Sequence, residues 1–282
     1  MRTVFLILFF APLLPATQAQ DTIYEPSDSI LIENILDKYS GRKHCSTGDL
    51  ILDIATEFTG QSYVGGTLDT HPGEPLVIST SRLDCTTFIE LVLAISISIE
   101  NEEESFKSVC RNLEQMRYRN GVRNGYASRL HYISQWIADS AKNNIIEEVT
   151  NKKHSSPLLL DLYYMSSNAA SYKQLKENPG LIKEIVKWEK PFRGKEARHI
   201  PKNEIYRTAD ELGIKNGDII ALTTNIKGLD VVHIGVAFCK DGKVHLLHAS
   251  STAGKVIKDG TTLFDYQKNR KSQTGIRVFR AK

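Results

Sequence analysis

Cysteine is scarce in this chain. Four cysteines in 282 residues, none in C-x-x-C spacing, are too few for a disulfide framework. Charge of one sign is scarce too. The net charge of +3, one less if Arg2 leaves with a leader, is too small and dispersed to argue for a nucleic-acid partner. Beyond the first twenty residues no stretch is apolar enough to span a membrane. There is no internal repeat, and no low-complexity linker divides the chain. What remains is an apolar content of 41%, enough for a substantial core, and an ordinary charged content of 24%. The length fits one large domain or a core with insertions.

Met1-Arg2, an apolar run over residues 4–14 and the small residues around Thr17-Gln18-Ala19 read as a secretory signal peptide, residues 1–19. No cysteine follows the expected cut, so a lipid anchor is not indicated. The mature chain, 20–282, is expected to be exported. Cys85 is expected to be a free thiol, and Cys45 with Cys110 or with Cys239 is a candidate pair.

Cys85 stands in Asp84-Cys85-Thr86-Thr87-Phe88-Ile89-Glu90, where a loop runs directly into the apolar residues 88–99. That run is apolar on nearly every side, the pattern of a helix buried all round. A thiol in the first turn of such a helix faces unpaired N–H groups and the positive end of the dipole. Both favour thiolate, which is the nucleophile. The competing reading is a packing cysteine, because free cysteine is among the most buried residue types.

A distant segment weighs against mere packing. Asp241-Gly242 is a two-residue hairpin signal. With those residues as the loop, Lys240 pairs with Lys243, Gly235 opposes His248 and His233 opposes Ser250. His233 and His248 then share one face as diagonal neighbours, about 7–8 Å apart at the backbone. Gly235 leaves open space beside both rings. Ile234, Val236 and Phe238 face Leu247 and Ala249 on the other side, where His245 also falls. A register slip of one residue would flip every one of these. An imidazole near a thiol can take its proton and later donate one to a leaving amine. A second polar group fixes that imidazole's tautomer. Cys85 is therefore the expected nucleophile, His233 the general base and acid, and His248 the orienting residue. Backbone N–H groups near Cys85 and the Tyr63 hydroxyl are candidate oxyanion donors, with Asp84 in support.

Elsewhere, apolar residues recur at helical spacing over 28–39, 47–59, 103–118 and 128–141, with Gly60 expected to end the second helix. Residues 63–68 read as a glycine-rich extended loop. Asn120-Gly121 and Asn124-Gly125 require turns. Residues 170–202 read as polar, irregular surface elaboration and a candidate lid. From residue 218 on, β-signals dominate, over 219–223, 231–238, 244–249 and 276–279. Helices first and antiparallel strands last read as α+β.

Tyr63-Val64-Gly65-Gly66, Asp84-Cys85, His233-Ile234-Gly235-Val236 and His248-Ala249-Ser250 resemble the NlpC-type, papain-like cell-wall peptidases. Segments 63–68, 83–90, 126–132, 164–166, 200–202, 228–230 and 246–251 look like the AmiA-like branch of N-acetylmuramoyl-L-alanine amidases, over nearly all of the mature chain. The resemblance implies a papain-like core of N-terminal helices on an antiparallel sheet, with insertions around 101–215. It implies hydrolysis of the amide between the lactyl group of muramic acid and L-alanine in soluble anhydromuramyl peptides. The Cys-His-His triad lands on Cys85, His233 and His248. One departure is Asp69, where glutamate is expected after Thr-Leu. Candidate substrate contacts are Arg129, His131, Asp230 and Ser250. No cofactor, metal or nucleic acid is expected, the partners are peptidoglycan fragments, and the working form is a periplasmic monomer.

Three alternatives stay open. A γ-D-glutamyl-diaminopimelate endopeptidase would have the same catalytic core. A zinc enzyme would use Cys239, His245 and His248, whose types suit the metal but whose spacing matches no strong motif. A non-catalytic wall-binding module would display Tyr126, Tyr132 and Trp136, although Trp136 falls at core spacing with Leu130 and Ile133.

Overall fold

A computed structural model describes residues 22–41 and 46–282. The expected signal peptide and Cys45 lie outside the described residues. Cys85, Cys110 and Cys239 are free thiols. No described helix is long and apolar enough to cross a membrane.

The first half is mainly helical. It runs β1 (Thr22–Ile23), α1 (Pro26–Tyr39), α2 (Thr47–Glu57), three short strands β2 (Ser62–Tyr63), β3 (Leu76–Val77) and β4 (Arg82–Leu83), then α3 (Cys85–Glu100) and α4 (Phe106–Arg117). Local chemistry sets these starts. Pro26 at N1 and a Glu25/Asp28 capping box open α1, and the Ser46 hydroxyl caps α2. Asp28 also accepts from the backbone N and hydroxyl of Thr80, tying α1 to the segment that leads into β4.

An elaboration follows: α5 (Ile133–Lys142), β5 (Ile146–Glu148), β6 (Ser156–Leu160), α6 (Tyr164–Ser167), α7 (Lys173–Glu177), α8 (Gly180–Glu189), β7 (Lys195–Pro201) and α9 (Ala209–Leu212). The chain closes with β8 (Ile219–Thr224), β9 (Val231–Lys240), β10 (Lys243–Ser250), β11 (Lys255–Lys258), α10 (Leu263–Lys268) and β12 (Gln273–Ala281). The main sheet has the order β4-β2-β11-β10-β9-β8-β12-β7-β6, with β5 also pairing with β12. Only the β2–β4 pair in it is parallel. The α+β reading therefore holds, with N-terminal helices against an antiparallel sheet.

The sheet is covered on both sides. Residues of α1 to α4 such as Ile35, Ile54, Phe88 and Leu113 share a core with Ile234, Val236, Leu247 and Ala249. The other cluster joins Leu212 and Leu263 to Leu222, Ala237, Leu246 and Val278. The alternation of β9 and β10 residues between these clusters is the period-2 pattern of a strand buried on both faces.

Three boundaries differ from the sequence expectation. The helix expected over 128–141 begins at Ile133. Tyr126–Ser128 is a single 3-10 turn, and residues 129–132 are held out of helix because Leu130 N donates to Arg117 O and Tyr118 bridges Arg129. Residues 170–202 are not irregular: they form α7, α8 and β7. Leu175, Ile185 and Phe192 bury a third apolar cluster with Tyr126, Tyr132 and Leu162. The many lysines there sit on the solvent side of amphipathic helices. Finally, α2 ends at Glu57 with Phe58 as cap, and Gly60 (φ 95°) instead begins the sheet edge, its N–H donating to Val256 O.

A buried ion pair locks α3 to α4. Arg117 Nε lies 2.7 Å from Glu90 Oε2, and both side chains are almost fully buried. Arg117 also donates to Val77 O, which fixes the loop ahead of β4. Glu90→Leu leaves a buried cation unpaired and is expected to destabilise by about 3–5 kcal/mol. Pairing it with Arg117→Met should restore most of that. Denaturant midpoints measure both, and an unchanged midpoint for Glu90→Leu would show that the pair does not hold the helices.

Candidate active site

Cys85 is the first residue of α3, and Asp84 is its cap. The Asp84 carboxylate accepts from Thr86 N (3.0 Å) and Thr87 N (2.8 Å), and Thr87 Oγ1 accepts from Asp84 N (2.9 Å). β2 lies parallel to β4 with Tyr63 paired to Leu83, two residues ahead of Cys85 in the chain.

The thiol's environment corrects the expectation from the helix start. Burial pushes the Cys85 thiol up to about 11, and the Asp84 carboxylate pushes the same way. N–H donation from Ile234 and from Cys85 itself, and the Thr86 hydroxyl, pull it down without prevailing. Burial is the larger cause, and Asp84, which already occupies helix-end amides, adds to it. At rest the group is a neutral thiol. The same burial raises the Tyr63 phenol, and charge on Cys85 and Asp84 adds to it.

The Ile234 N–H that points at the sulfur belongs to the residue after His233. The hairpin has the register read from Asp241-Gly242: Lys240 pairs with Lys243 and Val236 with Leu247. Just before His233 the ladder to β8 slips, since Leu222 pairs with His233 but Thr223 with Val231. Such a bulge re-aims the side chain beside it, and no sequence signal marked it. His233 Nε2 lies 2.6 Å from His248 Nδ1, with the rings edge to face. Burial lowers His233 to about 3, helped by His248 and Arg270. Burial lowers His248 as well, against the opposing pull of Asp259. The resting set is thus one neutral thiol and two neutral imidazoles.

Gly235 does not leave open space as expected. A Cβ there would lie 3.0 Å from His248 Cβ and 3.2 Å from Leu247 O, so the histidine has taken the room. Tyr266 of α10 was missed entirely. Its ring stacks on His233 (6.3 Å between centroids) and meets His248 edge-on (5.4 Å). Arg270 stands over the Tyr266 ring at 4.2 Å. Tyr266 and Arg270, with Ser250 and Asp259, line a groove of about 450 Å³. Nothing local in residues 259–270 aims them at the histidines.

Three of the expected substrate contacts are engaged by partners within the protein. Arg129 is buried and holds Glu74 through two bonds (2.7 and 2.9 Å), Asp69 at 2.9 Å and Leu68 O. Its donors are engaged inside the protein, and the departure at Asp69 is part of that clamp. His131 Nε2 lies 2.8 Å from Tyr126 O, and burial with Arg129 nearby drives it down to about 3. Asp230 accepts from Ser134 N in the first turn of α5, and burial raises it. Ser250 alone of the four lines the groove. Cys239, His245 and His248 are not brought together: His245 stacks on Phe238 at 5.1 Å, Cys239 Sγ lies 3.8 Å from Ile214 O, and His248 faces His233. Trp136 is buried in the helical core, as its spacing implied, and Tyr126 and Tyr132 are buried too.

A thiol at a helix start and two bonded imidazoles on the antiparallel sheet that this helix packs against are the parts that acyl transfer through sulfur needs. Residues 53–276 match the AmiA-like family, described as N-acetylmuramoyl-L-alanine amidase-like, and the chain belongs to that family. It is similar to an N-acetylmuramoyl-L-alanine amidase from Bacteroides uniformis, with 40% identity, coverage of 84% of this chain and 99% of the relative, and a TM-score of 0.79. A candidate xylanase from Bacteroides fragilis is 44% identical, covering 81% of this chain and 99% of its own, with a TM-score of 0.76. A Legionella pneumophila protein, 20% identical over 90% and 94% of the two chains with a TM-score of 0.66, shares the fold. No curated protein matches the chain.

Two outcomes follow from this geometry. Iodoacetamide labelling of Cys85, followed by peptide mapping with Cys110 and Cys239 as internal references, should be slow at pH 7 and rise only well above it. Asp84→Asn should move that rise to lower pH, because it removes the adjacent negative charge. Fast labelling already at pH 6 would mean a pre-ionised pair. Gly235→Ala should reduce any activity that needs both rings about tenfold or more by displacing His248, with a stability change of about 1–3 kcal/mol from overpacking; full activity would show that the ring position is not critical.

Proposed function

We propose that the chain hydrolyses the amide between the muramic acid lactyl group and L-alanine in anhydromuramyl peptides, using Cys85, His233 and His248 on a papain-like, NlpC-type core. The observation that carries this reading is the 2.6 Å contact between His233 and His248, on a strand packed with α3, the helix that Cys85 opens. Membership of the amidase-like family and the Bacteroides uniformis amidase support the choice of bond.

The steps follow from the neutral resting set. His233 removes the thiol proton as the sulfur attacks the lactyl carbonyl carbon. The Tyr63 hydroxyl and backbone N–H groups at the start of α3 are the proposed donors to the resulting oxyanion. His233 then gives its proton to the nitrogen of L-alanine, the stem peptide leaves, and a thioester remains. A water loses its proton to His233 and attacks that thioester, which frees the lactyl carboxylate and restores the thiol. His248 holds the ring of His233 throughout. Because the thiol starts protonated, proton removal and attack occur together. Ser250 and the groove beside Tyr266 are the proposed seat for one arm of the substrate. Arg129, His131 and Asp230 serve indirectly, by bracing the loops they bind. The reaction as written needs no cofactor, and the proposed working form is an exported, periplasmic monomer.

Mass spectrometry of products from defined muropeptides, with and without the anhydro sugar, tests this directly. A free stem peptide beginning with L-alanine is expected. A dipeptide-bearing muramyl product would mean an endopeptidase, and new reducing ends from xylan would favour a glycosidase. Cys85→Ala should lower kcat by about 10⁴-fold or more with an unchanged melting temperature. Turnover at the wild-type rate in that variant would remove the thiol from the mechanism.

A further inference from the structure

The His233–His248 pair leaves one atom without a partner. His248 is 0% exposed, and its Nε2 makes no hydrogen bond. A buried ring nitrogen in that state is costly unless something answers it. The nearest acidic group is Asp259, whose Oδ2 lies 3.6 Å from Nε2. That distance is too long for a hydrogen bond, but the carboxylate is held ready for one. Asp259 N donates to Leu246 O at 2.7 Å, and its carbonyl lies 3.3 Å from His245 Nδ1. Its Oδ1 accepts from Thr261 N (2.9 Å) and Thr261 Oγ1 (2.8 Å). The backbone is pinned, one oxygen is used up, and the other is left facing the ring. The same loop leads into α10, which carries Tyr266 against both imidazoles.

We propose that Asp259 is a positioning residue that extends the relay to Cys85–His233–His248–Asp259. The proposal rests on the catalytic reading above and deepens it. A carboxylate at Nε2 demands a proton on that nitrogen, so His248 Nδ1 carries the lone pair. His233 must then donate from Nε2 across the 2.6 Å contact. That leaves His233 Nδ1 bare, and Nδ1 is the atom that takes the thiol proton. The opposite arrangement would set a bare Nε2 against a carboxylate and leave His233 Nδ1 as an N–H, which cannot act as base. When the Cys85 proton moves to His233 Nδ1, the positive charge is shared along the short contact and answered by Asp259. The charge is discharged when the proton passes to the leaving amine. The long apo distance fits a bond that tightens in the substrate complex.

Other charged and titratable groups face this relay. Arg270, over the Tyr266 ring, opposes Asp259 by lowering both imidazoles. Asp265 lines the same groove, His245 contacts the Asp259 carbonyl, and Cys85 and Tyr266 complete the surroundings. Asp259 alone pairs with His248 by geometry.

The test compares Asp259→Asn, Asp259→Ala and Asp259→Glu in the full chain. Asp259→Asn and Asp259→Ala should lower kcat by about 10- to 100-fold, as loss of an outer-shell partner does, with KM within about twofold. The limb of the pH–rate profile governed by the imidazole pair should move to lower pH by about one unit. Asp259→Glu should recover part of kcat, and melting temperatures should report how much is mere destabilisation. A kcat loss that follows the folded fraction, with no movement of that limb, would reduce Asp259 to a loop anchor and overturn the proposal. The pH dependence of iodoacetamide labelling at Cys85 is measured in parallel and needs no substrate. If wild type cleaves no muropeptide amide, the functional reading fails while the labelling profile still decides the role of Asp259: a profile that Asp259→Asn leaves unmoved refutes it.

Discussion

The contact between His233 and His248 is the constraint on which the rest of the candidate site depends. It exists only in one hairpin register, because a shift of one residue would send the two rings to opposite faces. Asp241-Gly242 sets that register, with Asp241 and Gly242 both at positive φ. Gly235 lets His248 approach the neighbouring strand so closely that an added Cβ would crowd it. The bulge at Val232 then turns His233 at the end of the ladder. α3 delivers the thiol to the adjacent amide because its buried surface fits the same strands. Each part is an ordinary feature of sheet or helix, and their meeting point is what is particular to this chain.

Electrostatics works differently from the simplest helix-end argument. A dipole acts on a thiol only if nothing closer cancels it. Here burial disfavours the anion first, and the cap that makes α3 start at Cys85 is an acid, Asp84, whose charge adds to the effect. The residue that best stabilises the helix therefore also keeps the thiol protonated. Burial of both imidazoles makes the same choice of neutral over charged forms. Charge appears only when a proton moves.

Much of the frame was legible in the sequence, since it is written in periodicity. The α+β order, the α3 start and the β9–β10 pairing follow from local pattern and one turn. What stayed hidden depends on contacts between distant segments. Tyr266 and Asp259 carry no local signature, and they reach the histidines only because β11 returns beside β10. Arg129 looked like a ligand for an outside carboxylate, but Glu74 and Asp69 supply carboxylates from within. The stretch over 170–202 hid its helices because a few apolar residues, among them Ile185 and Phe192, are diluted by lysines, and they bury in a cluster that includes Tyr126 and Tyr132 far back in the chain.

The protonated state of Cys85 also bears on its lifetime among oxidants. Peroxide and disulfides react with sulfur anions, and a thiol whose anion is disfavoured is attacked slowly. Cys85 would be exposed to loss as sulfenic acid if it rested ionised. Held as it is, it stays chemically quiet until a proton acceptor and an electrophile are present together, and the same environment that makes it slow to react makes it durable.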